Sequence, residues 1–247
     1  MSFLSSKILV HDMLYPEAMH VTVSKSNLTL TSAIEKRIEE IWQEKLIESK
    51  ERGNQIFNGE SYRVNFWSFK QSTLNLDLSI YDYKHRLGLI TMIGSGEISA
   101  AKYPHNGCFV GATVLTADGY YVMVKLSGKS MNKNTIEMLG GMVETETSFS
   151  SQDFLFTVLY QELQEEADIK KADILDCHLQ AMFTGGTSHF GFYFVVSLGI
   201  SSTELQNRFA NNQDIDIESL VFLDKDTYLE TLRGMSENKR LIASLVK

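Results

Sequence analysis

Three carboxylates crowd one short stretch of the chain: LYQELQEEADI, from Leu159 to Ile169, contains Glu162, Glu165 and Glu166. At about 100° per residue of an α-helix, the three fall within an arc of about 100°. Gln161, Gln164 and Asp168 point elsewhere, so the acids form one face and are not spread over the polar surface. Like charges at i and i+4 cost roughly 0.2–0.5 kcal/mol, and negative charge in the last turns of a helix opposes its macrodipole. A cation at this face would relieve both. The competing reading is an acidic face solvated by water, which helices commonly carry.

The helix that must carry these acids is read from Leu155, Leu159, Leu163 and Ala167, which recur every four positions through SQDFLFTVLYQELQEEADI. That spacing makes one side of an amphipathic helix. Upstream, TIEMLGGMVETE places Gly140 and Gly141 after a short apolar run and before the helix. Alone, a glycine pair is a turn. Together, GGMVETE and QELQEEADI resemble the Nudix box: glycine, five residues, Glu, seven residues, then Arg-Glu-apolar-any-Glu-Glu-any-Gly-apolar. Gly141 matches its opening, and Glu162, Leu163, Glu165, Glu166 and Ile169 match its second half.

The resemblance implies hydrolysis of a diphosphate joined to another group, with Mg²⁺ or Mn²⁺ neutralising the phosphates and activating water. It implies Glu162, Glu165 and Glu166 as catalytic metal ligands, with the carbonyl of Gly140 as a further oxygen donor. The chain also departs from the pattern. Gln161 stands in place of Arg, and Asp168 in place of Gly. About six residues are inserted around TSFSSQ, and Thr147 falls where the first Glu is expected, with Glu144 and Glu146 nearby. Ser150 or Ser151 is expected to cap the helix. A rival reading follows from these losses: a degenerate domain of the same type that binds a nucleotide without cleaving it.

With 247 residues, 43% hydrophobic and 22% charged, the chain can bury a substantial core as one large or two small domains. Its net charge of −8 argues against a nucleic-acid polymer or an anionic membrane as partner. No run of 18 apolar residues occurs, and MSFLSSKILVHDML lacks a long apolar core and a cleavage site, so a cytoplasmic location is expected. Cys108 and Cys177 sit in apolar segments and read as buried reduced thiols. His178 and His189 read as structural residues of strands, and no dinucleotide or P-loop motif is present.

Along the chain, SAIEKRIEEIWQEKLIESKERG reads as an amphipathic helix with Ser32 as N-cap, Glu35 completing a capping box, and Ile34, Ile38, Ile41, Trp42 and Leu46 as its buried stripe. YRVNFWSF and TLNLDLSIY read as paired strands. GCFVGATVLTADGYYVMVKL reads as two strands joined at Asp118-Gly119, with two more around Gly185-Gly186. IESLVFLD is another strand, and TYLETLRG and ENKRLIASLV are helices. The expected fold is α/β (α+β): an α/β/α sandwich with a mixed sheet over residues 104–247, preceded by an α+β extension over residues 1–103, with the boundary near Pro104.

The first hundred residues carry a second resemblance. IEEIWQEKL, IFNGESYRV and YKHRLGLITMIGSG look like the amino-terminal region of the Nudix branch that includes the mammalian UDP-glucose and UDP-galactose hydrolase and its plant relatives. The matching residues are Trp42, Asn58, Gly59, Tyr62, Arg63, Arg86, Leu87, Gly88 and Leu89. This implies a UDP-sugar as small-molecule partner, cleaved to UMP and a sugar 1-phosphate, and it leaves a homodimer open. Candidate substrate contacts are Arg63 and Arg86, and Lys125, Lys129 and Lys133 from a polar loop. Candidates for a later general base are Asp214, Asp216 and Glu218.

Overall fold

The computed structural model describes residues 4–51, 56–128, 135–145, 152–186, 188–210 and 217–246. Strands β1 (Leu4–Leu14) and β2 (Met19–Val23) precede helix α1 (Ser32–Glu51). The stripe of Ile34, Ile38, Ile41 and Trp42 is buried as its spacing requires. Thr31, not Ser32, holds the start of α1: its Oγ1 accepts from the Ile34 amide at 3.4 Å. The expected box partner Glu35 turns to His85 instead, at 3.0 Å.

Strands β3 (Glu60–Lys70) and β4 (Thr73–Asp82) pair antiparallel, and β2 joins β4 in parallel to complete a small sheet. Helix α2 (Tyr83–Ser95) follows, opened by Asp82, whose carboxylate accepts from the His85 amide at 2.8 Å. Gly88 lets α2 lie close to α1, because a Cβ there would come within 2.7 Å of Ile38. Asn58 locks the same corner, its Oδ1 accepting from the Lys84 amide at 2.7 Å.

The larger sheet is mixed. Strands β5 (Cys108–Leu115) and β6 (Tyr121–Leu126) form the expected hairpin, its turn closed by Gly119 at φ 86°. The short β7 (Ile136–Glu137) pairs with β6; helix α3 (Phe154–Ala167), β8 (Ile174–Gly186), β9 (His189–Leu198), helix α4 (Ser202–Phe209), β10 (Ile217–Leu223) and helices α5 (Lys225–Gly234) and α6 (Glu237–Ala243) follow. Among the described residues the strand order is β1-β8-β9-β5-β6-β10, with β5 and β9 parallel. β1 therefore belongs to this sheet, across the boundary expected at Pro104.

Alternation along β5 and β9 sorts the core. Val110, Ala112, Val114, Phe192, Phe194 and Val196 face α3 and α4, while Tyr193, Met123 and Phe183 meet Tyr228, Leu232 and Ile242 of α5 and α6 on the opposite face. Helices thus cover both faces, as the expected sandwich requires. The small sheet packs on the far side of α3, where Tyr62 meets Phe154 edge-on at 5.2 Å between ring centroids. Both cysteines are buried free thiols, pushed up to about 12 first by burial. Among the described residues no helix is long and apolar enough to cross a membrane.

Candidate active site

The segment between β7 and α3 runs beside β5 as an irregular strand: the Val110 amide donates to the Gly141 carbonyl at 2.9 Å, and the Ala112 amide to the Leu139 carbonyl at 3.0 Å. Gly140 adopts φ 135°, a conformation that L side chains rarely adopt, and a Cβ there would also overlap the Val110 carbonyl. Gly141 faces α3, and a Cβ on it would overlap the Glu162 carboxylate. The Gly140 amide donates to Glu166 Oε2 at 2.7 Å. Both glycines are therefore in contact with the acidic helix, one through its bare Cα and one through its amide. The Gly140 carbonyl accepts no backbone hydrogen bond among the described residues.

Helix α3 buries Leu155, Leu159, Leu163 and Ala167, which turns Glu162 and Glu166 to its flank and leaves Glu165 exposed. Burial first, then the charges of Glu165 and Glu144, push Glu162 up to about 7. The helix begins one turn later than the serines expected to cap it. Its N-cap is Asp153, whose side chain makes no capping bond, while Ser150, Ser151, Glu146 and Thr147 lie outside the described residues. At the other end Asp168 takes φ 52° and ψ 34°, the left-handed cap conformation, with its amide donating to the Gln164 and Leu163 carbonyls. An aspartate performs there the conformational task for which glycine is the usual choice.

Glu162, Glu165, Glu166 and the Gly140 carbonyl make an all-oxygen donor set, which suits a hard divalent cation in kind. Among the described residues no group of three His, Cys, Asp or Glu side chains is arranged to hold a metal ion.

The other expected contacts separate. Arg63 is 1% exposed, and its guanidinium donates to Ser26, Asn27, Asn65 and the carbonyls of Pro104 and His105. It is a buried strut joining the small sheet to the loop before β5, its guanidinium taken up by protein oxygens. Lys125 pairs with Glu218 at 2.7 Å, so one phosphate candidate and one general-base candidate neutralise each other across β6 and β10. Lys129, Lys133, Asp214 and Asp216 lie outside the described residues. Arg86 faces a cavity, described below.

Two further residues, one of them not singled out in the sequence, line the neighbouring cavity. Lys239 of α6 lies 3.6 Å from Glu137, and its ammonium, lowered by burial, is drawn back up first by Glu137 and also by Glu166. His189, expected to be structural, lines a cavity of about 230 Å³ with Phe109, Phe183, Tyr193, Asn238 and Lys239. Nothing in ENKRLIASLV distinguishes Lys239 from its neighbours Lys247 or Arg240; only the packing of α6 on the sheet does.

No family model matches the chain, and no curated protein matches it. Solved structures that overlap it include a Deinococcus radiodurans protein, with 13% identity over 57% of this chain and 84% of that one and a TM-score of 0.43. A NUDIX hydrolase from Nitrosomonas europaea overlaps at 16% identity over 51% of this chain and 76% of that one, with a TM-score of 0.37. A structure from work on MutT of Aliivibrio salmonicida and Vibrio cholerae overlaps at 14% identity over 56% and 94%, with a TM-score of 0.37. At scores this low the overlaps decide neither the fold nor the reaction.

Proposed function

We propose that this chain is a Nudix-type hydrolase, dependent on Mg²⁺ or Mn²⁺, that cleaves the diphosphate of a UDP-sugar to UMP and a sugar 1-phosphate. One observation carries the reading: the glycine pair and the acidic face of α3 form a single unit, with Gly141 making room for Glu162 and the Gly140 amide holding Glu166 at 2.7 Å. An acidic face kept only for solubility has no need of a glycine that clears space for one of its carboxylates.

Glu162, Glu165, Glu166 and the Gly140 carbonyl would hold the cation. Bound there, it neutralises phosphate charge and activates water. The chain's own part is to place the substrate. The cavity lined by Phe109, Phe183 and Tyr193 excludes water from one arm of it, and Lys239, on the same cavity, offsets phosphate charge. Water forms a bond to one phosphorus while the bridging phosphorus–oxygen bond breaks, and the departing phosphate keeps that oxygen. The UDP-sugar assignment rests on the resemblance of the amino-terminal region alone.

Gln161 and Asp168, where the Nudix box has Arg and Gly, and the inserted residues around TSFSSQ support a second reading, a nucleotide-binding module without hydrolysis. A turnover screen with Mg²⁺ over nucleotide sugars, ADP-ribose and dinucleoside polyphosphates, with chromatography of the products, separates the two. UMP from UDP-glucose or UDP-galactose is expected. AMP from ADP-ribose as the dominant product would reassign the substrate, and tight nucleotide binding with no turnover would leave the binding module.

A further inference from the structure

Helix α2 carries Arg86 to a cavity of about 140 Å³ that α3 does not line. Arg86, His105 and His189 supply its polar wall, Ile90, Phe109 and Met142 its apolar wall, and among the described residues no carboxylate lines it. The Nε of Arg86 is buried and has no hydrogen-bond partner among the described residues, and the Tyr83 ring lies 5.9 Å from the guanidinium carbon. A buried charged donor left without an acceptor costs more than a neutral one. The contrast with Arg63 is direct. That arginine is given five oxygens by the protein, whereas Arg86 is given a cavity.

We propose that this cavity is an oxyanion subsite that takes the phosphate group of a small phosphorylated ligand, with Arg86 as its principal donor and His105 and His189 flanking it. The Gly107 amide donates to His105 Nδ1 at 3.0 Å, which requires that nitrogen to be unprotonated and places the ring proton on Nε2. Burial first, and Arg86 next, press His105 down to about 3 and lower His189 as well. The subsite therefore presents one fixed positive charge between two neutral imidazoles, a match for an anion of low charge. Phe109 and His189 line both this cavity and the aromatic one of about 230 Å³, so a single ligand can place its phosphate under α2 and its ring against Phe183 and Tyr193. Asn238 fixes the shared imidazole, its amide meeting His189 Nε2 at 2.6 Å.

The test uses the full chain in EDTA, so that it does not depend on the hydrolysis reading. Imidazole resonances of His105 and His189 are followed by NMR during titration with inorganic phosphate and, separately, with UMP. Both rings are expected to shift saturably with each probe in the wild type, with affinity at least tenfold weaker in Arg86→Gln and partly recovered in Arg86→Lys. Ile90→Phe, which fills the cavity and keeps the charge, is expected to abolish the phosphate response and covers the case in which Arg86→Gln fails to fold. Unchanged affinity in a folded Arg86→Gln or Ile90→Phe, or no saturable shift with either probe, overturns the proposal. Because no divalent cation is present, failure here leaves the hydrolysis reading standing, and absence of turnover leaves the subsite standing.

Discussion

The carboxylate of Glu162 occupies the space that a side chain on Gly141 would need. Substitution at 141 is therefore a probe of Glu162 that leaves the carboxylate chemically intact. Gly141→Ala is expected to displace Glu162, lower turnover at least tenfold and cost about 1–3 kcal/mol of stability, as overpacking does. Steady-state kinetics with a thermal melt measure both. Unaltered turnover would mean that Glu162 is not needed where it stands.

Removing the charge itself separates chemistry from packing. Glu162→Gln is expected to lower turnover roughly a hundredfold or more, since a metal ligand is worth several kcal/mol in the transition state, while the exposed Gln161→Ala lowers it less than tenfold. Without metal, Glu162→Gln is expected to melt no lower than the wild type, because it relieves the repulsion from Glu165 and Glu144. Added Mg²⁺ should raise the melting temperature of the wild type and raise that of the variant less. An equal rise in both would remove Glu162 from the ligand set.

Asp168 closes α3 in a left-handed conformation, with an acidic group at the negative end of the helix dipole. Asp168→Gly removes both costs, worth together about 1–2 kcal/mol, and adds back somewhat less than 1 kcal/mol of unfolded-chain entropy. A net gain of about 0.5–1 kcal/mol is expected in denaturant melts. A loss would show that the Asp168 side chain stabilises the loop after α3 by contacts of its own.

The acid limb of the stability curve should carry the mark of His105. Its folded value of about 3 lies below the 6.5 of the unfolded chain, so between these values the unfolded state binds the extra proton. The contribution is fully present above pH 6.5 and is lost as pH falls towards 3, by about 2 kcal/mol at pH 5. His105→Asn, which can still accept from the Gly107 amide, is expected to be less stable at pH 7.5 but to lose less between pH 7 and 5. Parallel curves for the two proteins would show that His105 takes up its proton equally in the folded and unfolded states, so that its folded value is not lowered.

What could be read from the sequence was what periodicity and glycine express. The stripes of α1 and α3, the β3–β4 pair, the hairpin at Gly119 and the acidic face are local patterns, and local patterns survive without knowledge of neighbours. The glycine pair was legible because close approach to a carboxylate leaves a glycine behind. Arg63 and Arg86 look alike in sequence, and only tertiary placement gives one a full set of acceptors and the other a cavity. Lys239 is silent in the sequence for the same reason. The cap of α3 was misread because serine is a frequent cap, whereas the chain uses Asp153 and leaves its side chain out of the capping bond.

β1 pairs with β8, so Val10 sits opposite Met182 across an interval of more than 170 residues of chain. On a ribosome making about 5–20 residues per second, the first strand waits roughly ten to thirty seconds for its partner to emerge. Until then its unpaired backbone is open to other chains. The irregular register of β1, broken between Leu4 and Lys7, Ile8 and Val10, and His11 and Leu14, makes it a poor template during that interval. β1 forms an edge of the large sheet, so an affinity tag fused at the amino terminus sits beside that edge and competes with its pairing to β8.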